Sequence, residues 1–494
     1  MWAKIKIFFF TNQTTRQTLA KNTFWLGFSN VAGRLLRAII IIYAARTLGA
    51  AEWGVFSYAT SLVAFLTVLA DLGMNSILTR ETARDQLSLP QKETLSTAFF
   101  IKLALLIVSI LFIVFFAPYL TNLPKADAIL PIVALVLAFD TMRDFGSALS
   151  RAFEKMEWEA GLFIFTNTAI VAFGFAFLYF SPTVEAFSVA YAAGTGAGML
   201  LTFFVLRHRL KGLLTNFSKK LVRPLISAAW PIALSGILGG LMLNTDVVVL
   251  GWFRSADEVG FYAAAQRIIQ LVYVIPIVLA VSAFPIFSRL ARRDDAQAKA
   301  ILERVLSLSL LLALPLALGG LILNRPIMEL VFGSEYLPSA LSFGLLSLTF
   351  ILTFPSIIFS NTIFAYGQQR KLIIFAAIGG LANVVLDLAF IPTWGMVGSA
   401  WATIISQALA LAYLYRAMKA ALHFELASHL KKIALALGVM ALVVLGMNFA
   451  LTAHVLWTIG FSAAAYFIIL WVLKEPVLKE VKSAVFGETD YNCL

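Results

Sequence analysis

Cysteine, histidine and charged side chains are all scarce in this sequence of 494 residues. It has a single cysteine, Cys493, which excludes a disulfide framework and a cysteine-ligated metal site. It has four histidines, and none has a ligand-like partner at short spacing. Charged residues form 13% of the chain, whereas soluble domains carry about 25%. We therefore expect neither a metal nor another cofactor.

Nucleotide-binding and secretion signals are also missing from the sequence. No stretch reads G-x-x-x-x-G-K-[ST], so we expect no ATP-binding domain. Energy would then come from an ion gradient, from the substrate or from another chain. No A-x-A cleavage pattern occurs near residue 1, so we expect no removable signal peptide.

Apolar side chains are what the sequence has in excess. Hydrophobic residues make up 61% of the chain, against about 45–50% in soluble domains. So little polar surface cannot cover a fold exposed to water, which excludes a soluble enzyme and a disordered chain. The composition predicts an all-α polytopic membrane protein.

The apolar residues form long runs. A membrane-crossing helix needs about 20 mostly apolar residues, and the sequence holds about fourteen such segments. In chain order, we expect spans 1 to 14 at 23–45, 54–78, 95–117, 128–149, 159–180, 184–206, 225–251, 257–284, 303–323, 339–362, 371–391, 395–415, 433–452 and 455–473.

Lysine and arginine are distributed unevenly between the connections of these spans. If residue 1 is cytoplasmic, the outside connections hold only four of the 38 basic residues, Arg46, Lys125, Arg254 and Arg325. Nearly all the others fall in inside connections, as the positive-inside rule requires. The bias favours both termini in the cytoplasm. It also explains the net charge of +12 without a nucleic-acid partner.

Two parts of the sequence match at a shift of 206 residues. The segment E-W-G-V-F-S-Y-A from Glu52 meets E-V-G-F-Y-A-A-A from Glu258, so that Gly54 falls on Gly260. A second match, at a shift of 210, pairs A-Y-A in span 6 with A-W-A in span 12. Chance matching of apolar sequence is the alternative. Because six spans separate the copies, the repeats would be parallel, related by an axis along the membrane normal.

The repeat predicts two six-helix lobes around a central cavity, plus two C-terminal helices. Substrate would be held near the middle of the membrane, where the lobes meet. We expect a cytoplasmic arm at 1–21, an N-lobe with spans 1–6 at 22–206, a basic cytoplasmic linker at 207–223, a C-lobe with spans 7–12 at 224–418, spans 13 and 14 at 419–473, and a cytoplasmic tail at 474–494.

A few polar residues lie deep inside the expected spans, where a charge costs about 2.5–3.5 kcal/mol. Each charge therefore needs an opposite charge or a wet cavity. Span 1 carries Arg34 and Arg37, whose spacing of three residues puts both on one helix face. The other candidates are Asn244, Gln266 and Arg267 on spans 7 and 8, and the acids Asp71, Asp140, Asp246 and Asp387 on spans 2, 4, 7 and 11.

These residues have two interpretations. In the first, the basic and amide candidates bind substrate, because a guanidinium stays charged and grips phosphate oxygens two at a time. Two such groups on one face suit a pyrophosphate. In the second, Arg34 and Arg37 pair with Asp71 or Asp140 and hold helices together. The acids likewise serve either ion coupling or helix pairing.

Four stretches carry a resemblance to a known family. From Arg46, R-T-L-G-A-A-E-W-G-V-F-S-Y-A follows L-G-x-x-x-Y-G-x-x-x-x-A, with Trp53 in place of tyrosine. From Asp71, D-L-G-M-N-S-I-L-T-R-E follows D-x-G-x ending in R-E. From Asp246, D-V-V-V-L-G is followed by G-F-Y-A-A-A, and from Pro392, P-T-W-G-M-V-G-S-A-W-A-T follows P-x-x-G-x-x-G-A-A-x-A-T. Together they resemble the polysaccharide biosynthesis (O-antigen, Wzx-like) flippases, whose superfamily also holds multidrug-and-toxin-extrusion transporters and lipid II flippases.

The resemblance implies a function. It implies a flippase that moves an undecaprenyl-pyrophosphate-linked oligosaccharide to the outer leaflet of the cell inner membrane by alternating access, for cell-surface polysaccharide synthesis. Its partners would be the lipid-linked oligosaccharide, membrane lipid, a coupling ion (H⁺ or Na⁺) and a polysaccharide polymerase. The cationic cavity of the family would fall, by position, on Arg34, Arg37 and Arg267.

Three other functions are alternatives. A multidrug antiporter of the same superfamily often places an acid in span 1, whereas span 1 here carries two arginines and no acid. A lipid II flippase is not excluded by any sequence feature. A membrane-embedded glycosyltransferase is disfavoured, because the expected outside connections are too short to form a catalytic domain. We therefore expect no enzyme.

The topology generates a test by cysteine-accessibility mapping. Cysteines introduced one at a time at 208–222 should react only with reagents that reach the cytoplasm, because this linker carries six of the basic residues. Strong labelling of the linker from outside would contradict the topology.

Overall fold

The computed structural model of the chain describes residues 15–84, 89–425, 427–450 and 454–474. Every regular element within these ranges is a helix, so the all-α membrane fold is confirmed. The expected arm at 1–21 and tail at 474–494 lie largely outside the described residues, and Cys493 lies wholly outside them. The chain forms two compact units that divide between Ala263 and Ala264.

The first unit extends to Ala263 and contains, in the described residues, α1 (Thr15–Asp71), α2 (Met74–Arg84), α3 (Leu89–Leu111), α4 (Ala126–Ala152), α5 (Met156–Phe180), α6 (Val184–Leu206), α7 (Lys219–Phe253) and the start of α8 (Ala256–Val272). A π-helical turn and a 3₁₀ turn, Phe112–Phe116 and Ala117–Leu120, follow α3. The unit reaches beyond the expected linker at 207–223 because α7 packs against α1. The expected lobe boundaries stay a prediction.

The second unit contains the rest of α8, then α9 (Val274–Leu290), α10 (Asp295–Ile322), α11 (Asn324–Phe332), α12 (Ala340–Ser347), α13 (Thr349–Ala365), α14 (Gln369–Lys419), α15 (Ala427–Leu445) and α16 (Val455–Val472). Two apolar clusters organise it. Phe287, Leu302 and Phe359 belong to the first, which joins α9, α10, α13 and α14. The second joins α10, α15 and α16, where Tyr466 Oη donates a hydrogen bond to the Leu311 carbonyl at 2.8 Å.

Among the described residues, ten helices are long and apolar enough to cross a membrane, or eleven if the bent pair Ser334–Ser347 and Thr349–Ala365 is one span. Two of the ten run for 48 and 51 residues and are interrupted by non-helical glycines, Gly49 (φ 78°) and Gly395 (φ 56°). Since a helix rises about 1.5 Å per residue, each is about twice the thickness of the hydrocarbon layer. Each contains two of the expected spans. The count of about fourteen stays a prediction.

The two copies of the repeated motif touch inside the first unit. A Cβ atom added to Gly54 would lie 1.9 Å from the Ala256 carbonyl oxygen, and one added to Gly260 would lie 2.0 Å from the Ala50 oxygen. The partners exchange places at the same shift of 206 residues that relates the sequences. Reciprocal contacts of this kind are what two copies of one motif make around a twofold axis. Superposition of spans 1–6 on spans 7–12 stays a prediction.

Glu52 fastens the break at Gly49 to neighbouring elements. Its Oε2 accepts a hydrogen bond at 2.9 Å from the backbone amide of Val184, in the first turn of α6. Such an amide has no partner within its own helix. Lys125 donates to the other carboxylate oxygen, and this hydrogen bond raises the pKa of Lys125. Glu52 therefore joins the turn in α1 to α6 and to the segment before α4.

Replacing Gly54 with alanine should destabilise the protein by about 1–3 kcal/mol, because the new methyl group meets backbone that cannot rotate away. Gly260→Ala should have a similar effect, since its Cβ meets the reciprocal carbonyl. Gly161→Ala is the matched control, because nothing lies within 4 Å of a Cβ there. Thermal unfolding of the purified protein in detergent measures all three. Equal melting temperatures for Gly54→Ala and Gly161→Ala would contradict the close approach.

Candidate functional site

Arg34 and Arg37 differ in their surroundings although both lie on α1. The Arg34 side chain is exposed and makes no hydrogen bond or ion pair with the described part of the chain. Arg37 is half-buried, donates from Nε to Asn167 Oδ1 at 3.1 Å and lies over the Tyr191 ring, 5.9 Å from its centroid. Arg37 thus has neutral partners on α5 and α6, and Arg34 keeps all its donors.

Gly33 allows α5 to come close to the two arginines. A Cβ at Gly33 would lie 2.3 Å from the Phe163 ring and 3.1 Å from Asn167 Nδ2. The missing side chain therefore places Phe163 and Asn167 directly against α1. This close packing brings Asn167 within reach of Arg37, one turn further along α1.

Asp71 pairs with a lysine that we did not include among the candidates. Lys102 on α3 is fully buried, and its Nζ lies 2.8 Å from Asp71 Oδ1 and 2.8 Å from Asn75 Oδ1. A buried ammonium needs such acceptors, because burying an unpaired charge is expensive. The signal in the sequence was a lone lysine inside an apolar span, which calls for an acid on another helix.

Asp140 pairs within its own helix. Arg143 on α4 lies 3.2 Å from Asp140 and 2.9 Å from Asp144, and its guanidinium stands over the Phe163 ring at 5.7 Å. Arg143 is 8% exposed. Two acids therefore share one buried arginine. The spacing of three residues between Asp140 and Arg143 on α4 is the sequence signal that could have found the first of these two pairs.

Two polar cavities adjoin these ion pairs within the first unit. The Asp71 cavity measures about 220 Å³, and its polar lining includes Asp71, Asn75, Ser76, Lys102, Thr141 and Asp144. The Arg143 cavity measures about 300 Å³ and is lined by Ser29, Asn30, Arg143, Ser147, Arg151, Glu159 and Phe163, among others. Asn75 and Asp144 line both cavities, so the two adjoin.

Asp246 and Asn244 lie on α7. The Asp246 side chain is buried and accepts a 2.5 Å hydrogen bond from Tyr262 Oη on α8. Asn244 is half-buried and donates to the Gly240 carbonyl of its own helix at 3.4 Å. The Asp246–Tyr262 hydrogen bond therefore links α7 to α8, which are separated along the chain by residues 254 and 255.

The second unit holds the remaining candidates. Gln266 and Arg267 are half-buried on α8, and Arg267 donates to Gln270 Oε1 at 3.3 Å. Asp387 on α14 is fully buried and accepts a hydrogen bond from Ser399 Oγ at 3.3 Å. Residues twelve apart meet in this way because the helix breaks between them, at Gly395.

The first unit thus brings Asp71 and Asp140 to the cations Lys102 and Arg143 rather than to Arg34 or Arg37. In this structure neither arginine of span 1 contacts Asp71 or Asp140. Asp71 has the helix-pairing geometry, since Lys102 lies on another helix, whereas Asp140 pairs within α4. The assignment of the arginines to substrate stays a prediction.

Two models of known protein families match the sequence of this chain. The family model described as polysaccharide biosynthesis protein matches residues 19–291, more than half of the chain. The chain belongs to the polysaccharide biosynthesis protein family. The MatE model also matches residues 231–389, in agreement with the expected superfamily. This membership makes the protein a membrane transporter by family, with no catalytic site implied.

Individual relatives agree with the family. The chain is 26% identical over 392 residues to the probable low-salt glycan biosynthesis flippase Agl15 of Haloferax volcanii, covering 79% of this chain and 81% of the relative. It is 22% identical to a putative O-antigen transporter of Shigella flexneri, covering 81% and 98%. A solved structure titled lipid II flippase MurJ, inward closed conformation, matches 92% of this chain and 98% of its own with a TM-score of 0.76 at 18% identity, and so shares the fold.

Breaking the Asp71–Lys102 pair should destabilise the first unit. Lys102→Ala leaves a carboxylate without its cation, and we expect a loss of up to about 3 kcal/mol, the low end for buried pairs, because the Asp71 side chain keeps 23% exposure. The double variant Lys102→Met, Asp71→Asn removes both charges and should recover most of the loss. Membrane abundance and melting temperature measure the effect. A double variant as unstable as Lys102→Ala would contradict the pairing.

Proposed function

We propose that the protein is a flippase for an oligosaccharide linked through pyrophosphate to a polyprenyl lipid, undecaprenol in bacteria. The observation that carries this proposal is the exposed, unpaired guanidinium of Arg34 beside Arg37 in a member of the polysaccharide biosynthesis protein family. The names of the Haloferax and Shigella relatives, a glycan biosynthesis flippase and an O-antigen transporter, support the substrate class.

The arrangement of span 1 suits an anion. Arg34 has its donors free of the described residues, and Arg37 has only neutral partners, Asn167 and Tyr191. Neither positive charge is cancelled by an acid, so both attract the phosphates of a lipid headgroup. Gln266, Arg267 and Asn244 are the further candidates for substrate contact. A cationic drug as substrate is disfavoured by the same two charges.

Transport would proceed by alternating access in the inner membrane, with both termini cytoplasmic. H⁺ or Na⁺ is the proposed coupling ion. The buried acids Asp246 and Asp387 are the proposed coupling groups, because each is an acid inside the membrane-spanning part of the chain that accepts a hydrogen bond from a hydroxyl group, of Tyr262 and of Ser399 respectively. Asp71 already faces Lys102 of another helix, and we assign it to helix pairing, whereas Asp140 faces Arg143 of its own helix and balances that buried charge. A polysaccharide polymerase would receive the translocated lipid.

Translocation across the bilayer of proteoliposomes tests the arginines. Arg34→Ala and Arg37→Ala should each lower the rate by about 10- to 100-fold, since hydrogen bonds to charged groups contribute about 1.5–3 kcal/mol. The lysine variants should retain part of the rate, because lysine keeps the charge but loses the fork. The readout is a fluorescent polyprenyl-pyrophosphate disaccharide that becomes accessible on the opposite side.

Arg325→Ala is the matched control, because Arg325 is also exposed but lies in an expected outside connection. It should transport at the wild-type rate. Normal transport by the double variant Arg34→Ala, Arg37→Ala would end the proposal that these residues bind the pyrophosphate. Failure of the wild-type protein to translocate any polyprenyl-pyrophosphate glycan would end the proposed function itself.

A further inference from the structure

The two adjoining cavities of the first unit have a lining that differs in charge from the span 1 arginines. Each basic residue at their walls has an acid beside it: Lys102 with Asp71 at 2.8 Å, Arg143 with Asp144 at 2.9 Å, and Arg151 with Glu159 at 3.5 Å. Because the charges cancel in pairs, the walls are strongly polar but do not attract a phosphate as Arg34 does. Such walls suit a neutral ligand with many hydrogen-bonding groups.

Thr141 supplies a hydrogen-bonding group that no described residue uses. Its side chain is 1% exposed, it lines the Asp71 cavity, and its Oγ1 has no hydrogen-bond partner in the described part of the chain. A buried hydroxyl left unpaired is unfavourable, and buried polar groups are nearly always satisfied. The hydroxyl is therefore placed for a group that enters the cavity.

The remaining walls match the chemistry of sugars. The carboxylate of Asp144 accepts hydrogen bonds at two neighbouring oxygens, and the amide of Asn75 both accepts and donates, which fits neighbouring hydroxyls on a sugar ring. Phe163 offers an apolar ring at the edge of the Arg143 cavity. The two volumes, about 220 and 300 Å³, together fall within the range of about 300–1,000 Å³ typical of small-molecule sites.

The position of the cavities agrees with a substrate whose sugars follow a pyrophosphate. Asn30 lines the Arg143 cavity and precedes Arg34 by four residues on α1, so both lie on one helix face. Four residues of helix rise about 6 Å, so the sugar joined directly to a phosphate at Arg34 would lie beside Asn30. In the expected topology, the cavity walls come from the cytoplasmic ends of their spans, where the glycan would enter.

We propose that these two cavities bind the sugar units nearest the pyrophosphate, while Arg34 and Arg37 bind the pyrophosphate. This inference rests on the proposed function and deepens it, since it assigns the carbohydrate part of the substrate to residues of α1, α4 and α5. Thr141 and Asn30 then determine whether a glycosylated lipid binds better than the bare polyprenyl pyrophosphate.

The test measures two affinities for the full-length protein in nanodiscs, one for a fluorescent polyprenyl-pyrophosphate disaccharide and one for the same lipid without sugar. Wild type should bind the disaccharide lipid several-fold more tightly. Thr141→Val and Asn30→Ala should each reduce that preference by about 2- to 10-fold, the effect of one lost neutral hydrogen bond, and leave the affinity for the bare lipid unchanged. Thr195→Val is the matched control, because Thr195 is buried, bonds to its own helix and does not line either cavity.

Stability separates a binding role from a structural one. Thr141→Val should melt at the wild-type temperature or above it, because it removes an unpaired buried hydroxyl. A lower melting temperature with an unchanged sugar preference would overturn the inference. So would equal wild-type affinity for the two lipids, or parallel losses for both lipids in the variants. None of these outcomes would contradict the proposed flippase function. That proposal fails only if the wild-type protein translocates no glycolipid.

Discussion

Charge inside an apolar fold has to be neutralised by an opposite charge or by a polar cavity, and this requirement arranges the first unit. Lys102 reaches across from α3 to Asp71 at the end of α1, and Arg143 holds two acids of α4 beside Phe163 of α5. These pairs lie next to one another around the two cavities. Helix packing and cavity polarity are thus set by the same side chains.

Arginine plays two different parts in this unit. Arg143 lies between the carboxylates of Asp140 and Asp144, which neutralise its charge inside the protein. Arg34 has no such partner among the described residues, and its side chain is exposed. The contrast gives the candidate site two neighbouring regions, one with net positive charge and one with balanced charge.

The membrane class, the family and the repeat could be predicted from the sequence, because composition, loop charge, short motifs and the Gly54–Gly260 shift can be read from the residues without knowing how the helices pack. The partner of Asp71 could not be chosen in the same way, since Lys102 lies 31 residues away on another helix and only packing selects it. The Asp140–Arg143 pair could have been predicted from its spacing, because residues three apart lie on one face of a helix. The cavities depend on how six helices meet, which periodicity does not determine.

The contact between Gly54 and Gly260 has a consequence for how the two halves of the chain can change. The two matching segments, from Glu52 and from Glu258, differ at most of their positions. At this contact, a side chain introduced into either copy strikes the backbone of the other. Gly54 and Gly260 therefore constrain each other during evolution, because a larger residue at either position requires the backbone around the other to move.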